Sequence, residues 1–430
     1  MLTSLWAITK NSFTETTRQP IFGILVLAGM ALIAFSPTVT AFTMMEDVKL
    51  VIDMGLGTIF MVGLVLAVLS ASQVVSREVE TRTAGAILSK PVGRITFVVG
   101  KFLGVALSMT LASYLFTVIL VMTVRMGVPT TASFTIDAPV FIAELLPFLL
   151  AVGLAVYANY FYHSNFTSNA VLLAGPFYTV FLIALLFVKK DWKFDWIATS
   201  FMEQHCDQVA LAALLVLLGV LVLSSVAVAA STRLNVVSNV LVCGAVFFVG
   251  MVSQYLFGWS VGSAVTAWDP IPGEKSVEVS GYARKADGAG VSGVRMSGLP
   301  GTPVTNRKGF YRARVAFGGS GLVQPEREGY AFSPASKEYE NTTTDRSTDY
   351  TGTAYDPGVA RYVRSLWTGT ARVAYHIVPS FQMFWVADQL IRPEPYVPMH
   401  YVGMAALYAL VWCGAMVSLA AFLFEKRELI

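Results

Sequence analysis

The sequence is poor in charged residues and in cysteine. Only 13% of its 430 residues are charged, whereas soluble domains carry about a quarter. Together with a hydrophobic share of 55%, this indicates an integral membrane protein. The formal net charge of +3 is too small to indicate nucleic-acid binding. Cys206, Cys243 and Cys413 lie far apart, so the sequence predicts neither a disulfide framework nor a CxxC metal site.

The sequence also lacks the motifs of nucleotide-binding and hydrolytic enzymes. In "VVGKF" the preceding glycine, Gly93, is too far from Gly100 for a phosphate-binding loop, and Phe102 stands where Ser or Thr would bind magnesium. Neither H-E-x-x-H nor G-x-S-x-G occurs. We therefore expect no catalytic residues and no cofactor bound by this chain itself.

Eight apolar runs are long enough to cross a bilayer, whose hydrocarbon core needs about 20 residues of helix. They predict an α-helical polytopic membrane protein with spans near 21–43, 54–75, 97–124, 138–161, 168–188, 208–230, 235–258 and 400–424. Residues 1–19 place Trp6 and Phe13 among polar residues, which suits an interfacial elbow helix, although a frayed polar N-terminus fits about as well.

The distribution of Lys and Arg predicts the orientation. The connector between the second and third spans is rich in basic residues, which favours the cytoplasmic side. Eight spans then leave both termini in the cytoplasm of a plasma (inner) membrane protein, in agreement with Lys10, Arg18 and the terminal "EKREL". The loop "KKDWKFDW" disagrees, because this topology places it outside.

The polar block 265–360 is predicted to be an extracytoplasmic β-sandwich. "GFYRARVAF" alternates Tyr311, Ala313, Val315 and Phe317 with outward residues, and "VEVSGYA" is a second short strand. Gly, Pro, Asn and Asp between such strands are typical of a sandwich. An external helical segment, 361–399, then precedes the last span and cytoplasmic tail, 400–430.

Two groups of residues are candidates for a site within or beside the spans. Met202, His205 and Cys206 are soft ligands that suit copper, or they are incidental residues of an external loop. Glu144 lies inside the fourth span, where a buried carboxylate costs roughly 2.5–3.5 kcal/mol, unless it reaches the interface.

The connector from Ser76 to Lys101 combines acidic and basic residues with Gly and Pro. Ser76 suits the start of a helix, and Glu78 and Glu80 interact favourably with the positive end of its dipole. Lys90 interacts favourably with the negative end, and Pro91 stops the helix. The sequence thus predicts a coupling loop at 76–96, within the membrane domain 20–262, that docks into a partner's groove. A basic loop that serves topology alone would account for the basic residues but for neither the acidic pair nor the length.

This connector closely resembles the first cytoplasmic loop of ABC-2-type permeases, especially the multi-copper enzyme maturation group. The residues that carry the resemblance, with the neighbouring Arg77, are Glu78, Glu80, Arg82, Thr83, Leu88, Ser89, Lys90, Pro91, Arg94, Gly100 and Lys101. "IVPSFQMFWVADQL" and "LFEKREL" also resemble this family, and the polar block resembles carboxypeptidase-regulatory-like or Ig-like modules.

The resemblance implies a permease subunit driven by a separate ABC ATPase, with two permeases and two ATPase subunits in one complex. ATP would be bound by the partner, and residues 76–94 would receive its movement. The family usually has six spans, whereas this sequence has eight and an inserted domain. Two alternatives are a membrane-anchored sensor or scaffold whose β-domain binds a partner, and an ion-driven carrier that depends on Glu144.

Overall fold

The computed structural model describes residues 2–40, 47–76, 93–128, 137–194, 201–202, 205–261, 276–327, 329–354, 370, 377–390 and 396–425. The chain forms two compact units. The helical unit comprises Met1–Phe247 and Phe381–Ile430, and the β unit comprises Phe248–Ser380.

Ten α-helices occur in the described part of the chain. In chain order they are α1 Leu2–Thr17, α2 Pro20–Thr40, α3 Asp47–Ala71, α4 Arg94–Met126, α5 Ala138–Tyr162, α6 Phe166–Leu186, α7 Cys206–Ser231, α8 Val236–Val261, α9 Ala387–Leu390 and α10 Met399–Glu425. All except α1 and α9 are long and apolar enough to cross a membrane, which confirms the eight predicted spans. The N-terminal residues form the helix α1, so the prediction of a frayed N-terminus is wrong.

Polar side chains set the ends of several helices. The Asp137 carboxylate accepts a hydrogen bond from the backbone N–H of Val140 and begins α5, and Asn165 does the same for Ser168 at the start of α6. Between these helices His163 adopts a left-handed conformation, with φ 50°, that ends α5. The two helices are therefore joined by a tight turn of three residues.

The helices α4 and α7 form the centre of the helical unit. In each of them 67% of the most apolar stretch is buried, against 22% in α8 and α10. Glycines allow close approach: a Cβ at Gly63 in α3 would lie 2.7 Å from the Val220 side chain in α7. The outer helices keep apolar residues exposed, as expected where lipid is the solvent.

The segment "PSFQMFWVADQL" places aromatic rings in the helical unit. Its 3₁₀ turn, Phe381–Phe384, buries both terminal phenylalanines completely. Phe381 packs against Phe60 of α3 and Phe247 of α8, with ring centroids 6.0 and 5.8 Å away. The Tyr401 hydroxyl donates to the backbone oxygen of Met383 at 2.6 Å, which fixes the turn to α10.

The β unit contains eight described strands in two sheets. They are β1 Ser276–Lys285, β2 Arg295–Ser297, β3 Phe310–Ala316, β4 Gly319–Glu326, β5 Tyr330–Ser333, β6 Lys337–Thr342, β7 Arg346–Ser347 and β8 Tyr350–Ala354. One sheet has the order β3-β1-β8-β5, with β7 beside β1, and the other has the order β2-β4-β6.

The alternation predicted for β3 holds over most of its length. Tyr311, Ala313 and Val315 are buried, and they share one hydrophobic core with residues of both sheets. The prediction is wrong for Phe317, which is 53% exposed because the strand ends at Ala316 and the chain turns at Gly318, where φ is 75°. Burial also raises the pKa of the Tyr311 phenol, which donates to the backbone oxygen of Thr348 and acts as a core residue.

Candidate functional site: the loop end of the helical unit

Most of the residues predicted to couple with an ATPase lie outside the described part of the chain. These residues are Arg77, Glu78, Glu80, Arg82, Thr83, Leu88, Ser89, Lys90 and Pro91. Arg94, the remaining one, begins α4. The structure describes the two points where the chain enters and leaves this loop, at Ser76 and Gly93, and the surroundings of those points define what we call the loop end.

The chain enters the loop through a π-helical turn, Ser72–Ser76, that continues α3. Such turns add a residue to the helix and recur at functional positions. The buried side-chain amide of Asn239 in α8 donates to the hydroxyls of Ser72 and Ser231, both at 2.8 Å. The thiol of Cys243 donates to the Asn239 side-chain oxygen at 3.3 Å. This polar cluster connects α3, α7 and α8 where the loop begins.

The chain leaves the loop into the first turns of α4, which pack tightly against α1. A Cβ at Gly100 would lie 2.7 Å from the side chain of Ile8. At Gly104 it would lie 2.8 Å from the backbone oxygen of Thr9 and would also meet Ser12. The two glycines, four residues apart on one helix face, let the backbones of α1 and α4 touch.

Lys101 lies between these glycines and is buried. Its ammonium lies 3.5 Å from the Glu15 carboxylate of α1, with side-chain exposures of 2% for Lys101 and 34% for Glu15. It also lies 5.6 Å from the centroid of the Phe97 ring. Gly100 and Lys101, which the resemblance to permeases singled out, therefore attach α1 to α4.

An open polar cavity lies next to this ion pair. It has a volume of about 530 Å³ and is lined by Glu15, Arg18, Gln19, Pro20, Ile21 and Gln73. Gln73 belongs to the π-helical turn, so the cavity joins the end of α1 to the start of the loop. Its charged and amide groups suit contact with a polar partner better than with lipid.

The same end of α1 contacts the turn between α5 and α6. The hydroxyls of Thr17 and Ser168 are 3.3 Å apart, and the Asn165 amide donates to the backbone oxygen of Arg18 at 3.5 Å. The helix α1 therefore contacts both α4 and this turn, and movement of α1 would reach both.

A buried arginine that the sequence patterns did not single out lies at the opposite end of α4. The Arg125 guanidinium lies 3.6 Å from the Asp137 carboxylate and donates to the backbone oxygens of Leu185 and Val188, each at 2.5 Å. It also lies 4.8 Å from the centroid of the Phe201 ring. The sequence pattern that could have indicated this site is an arginine directly after one apolar run and an aspartate directly before the next apolar run.

Met202 and Cys206, two of the three candidate copper ligands, differ in exposure and contacts. The Cys206 thiol is buried and donates to the backbone oxygen of Val121 at 3.8 Å, whereas Met202 is 65% exposed. Among the described residues no group of three or more His, Cys, Asp or Glu side chains could hold a metal ion.

Comparison with known proteins adds one finding. Residues 6–190 match the family model ABC-2 family transporter protein. The match runs from α1 to the segment after α6 and covers less than half of the chain; the β unit lies outside it. No curated protein and no solved structure matches significantly. The matched part is thus similar to ABC-2 transporters, as the connector predicted.

Proposed function

We propose that the chain is the membrane-spanning subunit of an ABC-2-type transporter, powered by a separate ATPase subunit. The observation that carries this proposal is the family match over 6–190, which includes the loop and the helices at its two ends. Because ABC-2 transporters work with an ATPase, the family match supports such a partner.

The geometry of the loop end supports a route for the movement. An ATPase that binds residues 77–94 would pull on the π-helical turn Ser72–Ser76 and on the first turn of α4. Because α1 packs closely against Gly100 and Gly104, a movement of the first turn of α4 would also displace α1. The acidic and basic residues of the loop would fix the register of docking more than its affinity.

The complex would contain two permease subunits, identical or different, and two ATPase subunits.

A second proposal concerns the β unit, whose own hydrophobic core of two sheets supports a role as an extracytoplasmic binding module. It would bind a partner of the transporter. If no ATPase exists, the same unit would make the protein an anchored sensor.

Purification of the tagged protein from its native membranes, with identification of co-purifying subunits, tests the proposal. We expect an ATPase with a phosphate-binding loop to accompany the wild type and to be lost from the variant Glu80→Lys/Arg82→Glu. The matched control is Lys189→Glu/Asp191→Lys, the same charge exchange in the segment after α6, which should retain the ATPase.

Each result has a distinct meaning. Loss of the ATPase from both variants would contradict docking through the loop, because a charge exchange outside the loop would then also release the ATPase. If the ATPase stays with both variants, the protein is still a permease subunit, but the ATPase contacts it outside the loop. A wild type that purifies intact without any ATPase, under conditions that preserve other complexes, would favour the anchored sensor.

A further inference from the structure

Two cavities adjoin along α2 in the helical unit. The first has a volume of about 420 Å³ and extends along α2 from Pro20 to Met30; the second, about 470 Å³, extends from Leu27 to Thr38. Both are lined by Leu27, Met30 and Phe148, so they meet end to end. We call the pair the α2 groove, and residues of α4, α5 and α6 form its other walls.

The two halves of the α2 groove differ in chemistry. Among the described residues that line the first half, Thr167 is the one with a polar side chain. The second half contains a carboxylate, Glu144, together with Thr38 and Tyr178, and no Lys, Arg or His among its described lining residues. The groove is therefore apolar along most of its length and acidic at one position.

Glu144 is held in place without a basic partner. The Thr123 hydroxyl donates to its Oε1 atom at 3.1 Å. The Tyr178 phenol donates to the backbone oxygen of Glu144 at 2.8 Å, so its proton is not donated to the carboxylate. No described residue forms an ion pair with Glu144. A carboxylate at membrane depth usually pairs with a cation or faces a pathway, because its desolvation is costly.

The length of the α2 groove matches an extended alkyl chain rather than a compact molecule. From Pro20 to Thr38 the helix rises about 27 Å at 1.5 Å per residue, close to the hydrocarbon thickness of about 30 Å. The volume of each half lies in the range of small-molecule sites, roughly 300–1,000 Å³. An alkyl chain would cover the apolar walls, and its head group would reach the acidic position.

We propose that the α2 groove binds an amphiphile with a long alkyl chain and a protonated amine, and that Glu144 binds the amine. This rests on the proposed function, for which it names the substrate class. Charge complementarity selects this occupant: a neutral lipid tail or an apolar face of a second copy of the chain would fill the walls but leave the carboxylate without a cation.

Binding to the purified chain in neutral-lipid nanodiscs, without an ATPase, tests the proposal. The probes are a fluorescent long-chain alkylamine and the same molecule with a hydroxyl in place of the amine. We expect the amine to bind at least about tenfold more tightly, which corresponds to about 1.4 kcal/mol, because a hydrogen bond between two charged groups is stronger than one from a neutral hydroxyl.

Two variants with matched controls separate the head-group contact from the groove itself. Glu144→Gln keeps the volume and should remove the preference for the amine, whereas Asp207→Asn, an exposed carboxylate at the start of α7, should keep it. Ala34→Phe should reduce binding of both probes because Ala34 lines the groove. Leu32→Phe, at a 57% exposed position of α2 outside that lining, should not.

Two results would overturn the proposal. One is equal binding of both probes with no effect of Glu144→Gln, which would mean ordinary lipid contact. The other is disulfide cross-linking between two copies in the variants Leu27→Cys and Ala34→Cys, which would mean that a second copy covers the groove. Because no ATPase is present, either result leaves co-purification of the ATPase, and with it the proposed function, to be judged separately.

Discussion

The two ends of α4 each carry a buried cation, but the two cations are bound differently. At the loop end Lys101 faces Glu15, which belongs to α1 and is 34% exposed. At the opposite end Arg125 faces Asp137, which is 6% exposed, and also donates to two backbone oxygens at the end of α6, those of Leu185 and Val188. One cation thus attaches a single peripheral helix, and the other connects three membrane-spanning helices.

This difference indicates where the helical unit resists movement. A charge that is buried with its partner leaves a large uncompensated cost if that partner moves away. A pair with one solvent-accessible member loses less, because water replaces the contact. The Arg125 end is therefore expected to stay fixed, while the loop end, where the ATPase is proposed to act, can shift at lower cost.

Arg125→Leu is expected to have the largest effect. It leaves the buried Asp137 carboxylate without its cation and removes the guanidinium donor from two backbone oxygens, which costs about 3–5 kcal/mol. The free energy of unfolding in mixed micelles, measured by denaturant titration, should fall by that amount.

Arg233→Leu is the matched control for this prediction. Arg233 is exposed and donates to a single backbone oxygen, that of Leu423, at 2.8 Å. Its removal should cost roughly 1 kcal/mol or less. Equal losses for the two variants would break the proposed contrast between the ends of α4.

Gly104→Ala is expected to have an intermediate effect at the loop end. The added methyl group would meet Ser12 and the backbone of α1, so the helices must separate, at a cost of about 1–3 kcal/mol. Limited proteolysis of α1 should become faster, and the free energy of unfolding should fall.

Gly153→Ala in α5 is expected to change the free energy of unfolding in the opposite direction. Nothing lies within 4 Å of a Cβ at this position, so the better helix propensity of alanine should stabilise the protein by up to about 1 kcal/mol. If both substitutions were stabilising, the close contact of α1 with α4 would be contradicted.

The smallest effect is expected for the coupling between Lys101 and Glu15. A double-mutant cycle with Lys101→Met and Glu15→Gln should give a coupling energy of about 0.2–1 kcal/mol, because Glu15 is partly exposed. The coupling should decrease as salt is added. The same cycle on Arg125→Leu and Asp137→Leu should give a larger value with little dependence on salt; the reverse order would refute the comparison.

Hydrophobic patterning predicted the two classes of element in this protein. The eight spans are recognisable because each must bury about 20 apolar residues in lipid, a local requirement. The strand β3 is recognisable because Tyr311, Ala313 and Val315 alternate with exposed arginines. The prediction failed at Phe317, where the turn at Gly318, and not the alternation, sets the end of the strand.

The sequence alone determined that this is a membrane protein with eight apolar helices, a separate β region and a permease-like connector, because each of these depends on residues close together in the chain. Only the tertiary structure decided what Arg125, Lys101, Asn239 and Glu144 contact. Their partners lie on other helices, and the choice among many polar groups at similar depth depends on how those helices pack. The contrast between the two ends of α4 is therefore a property of the folded chain.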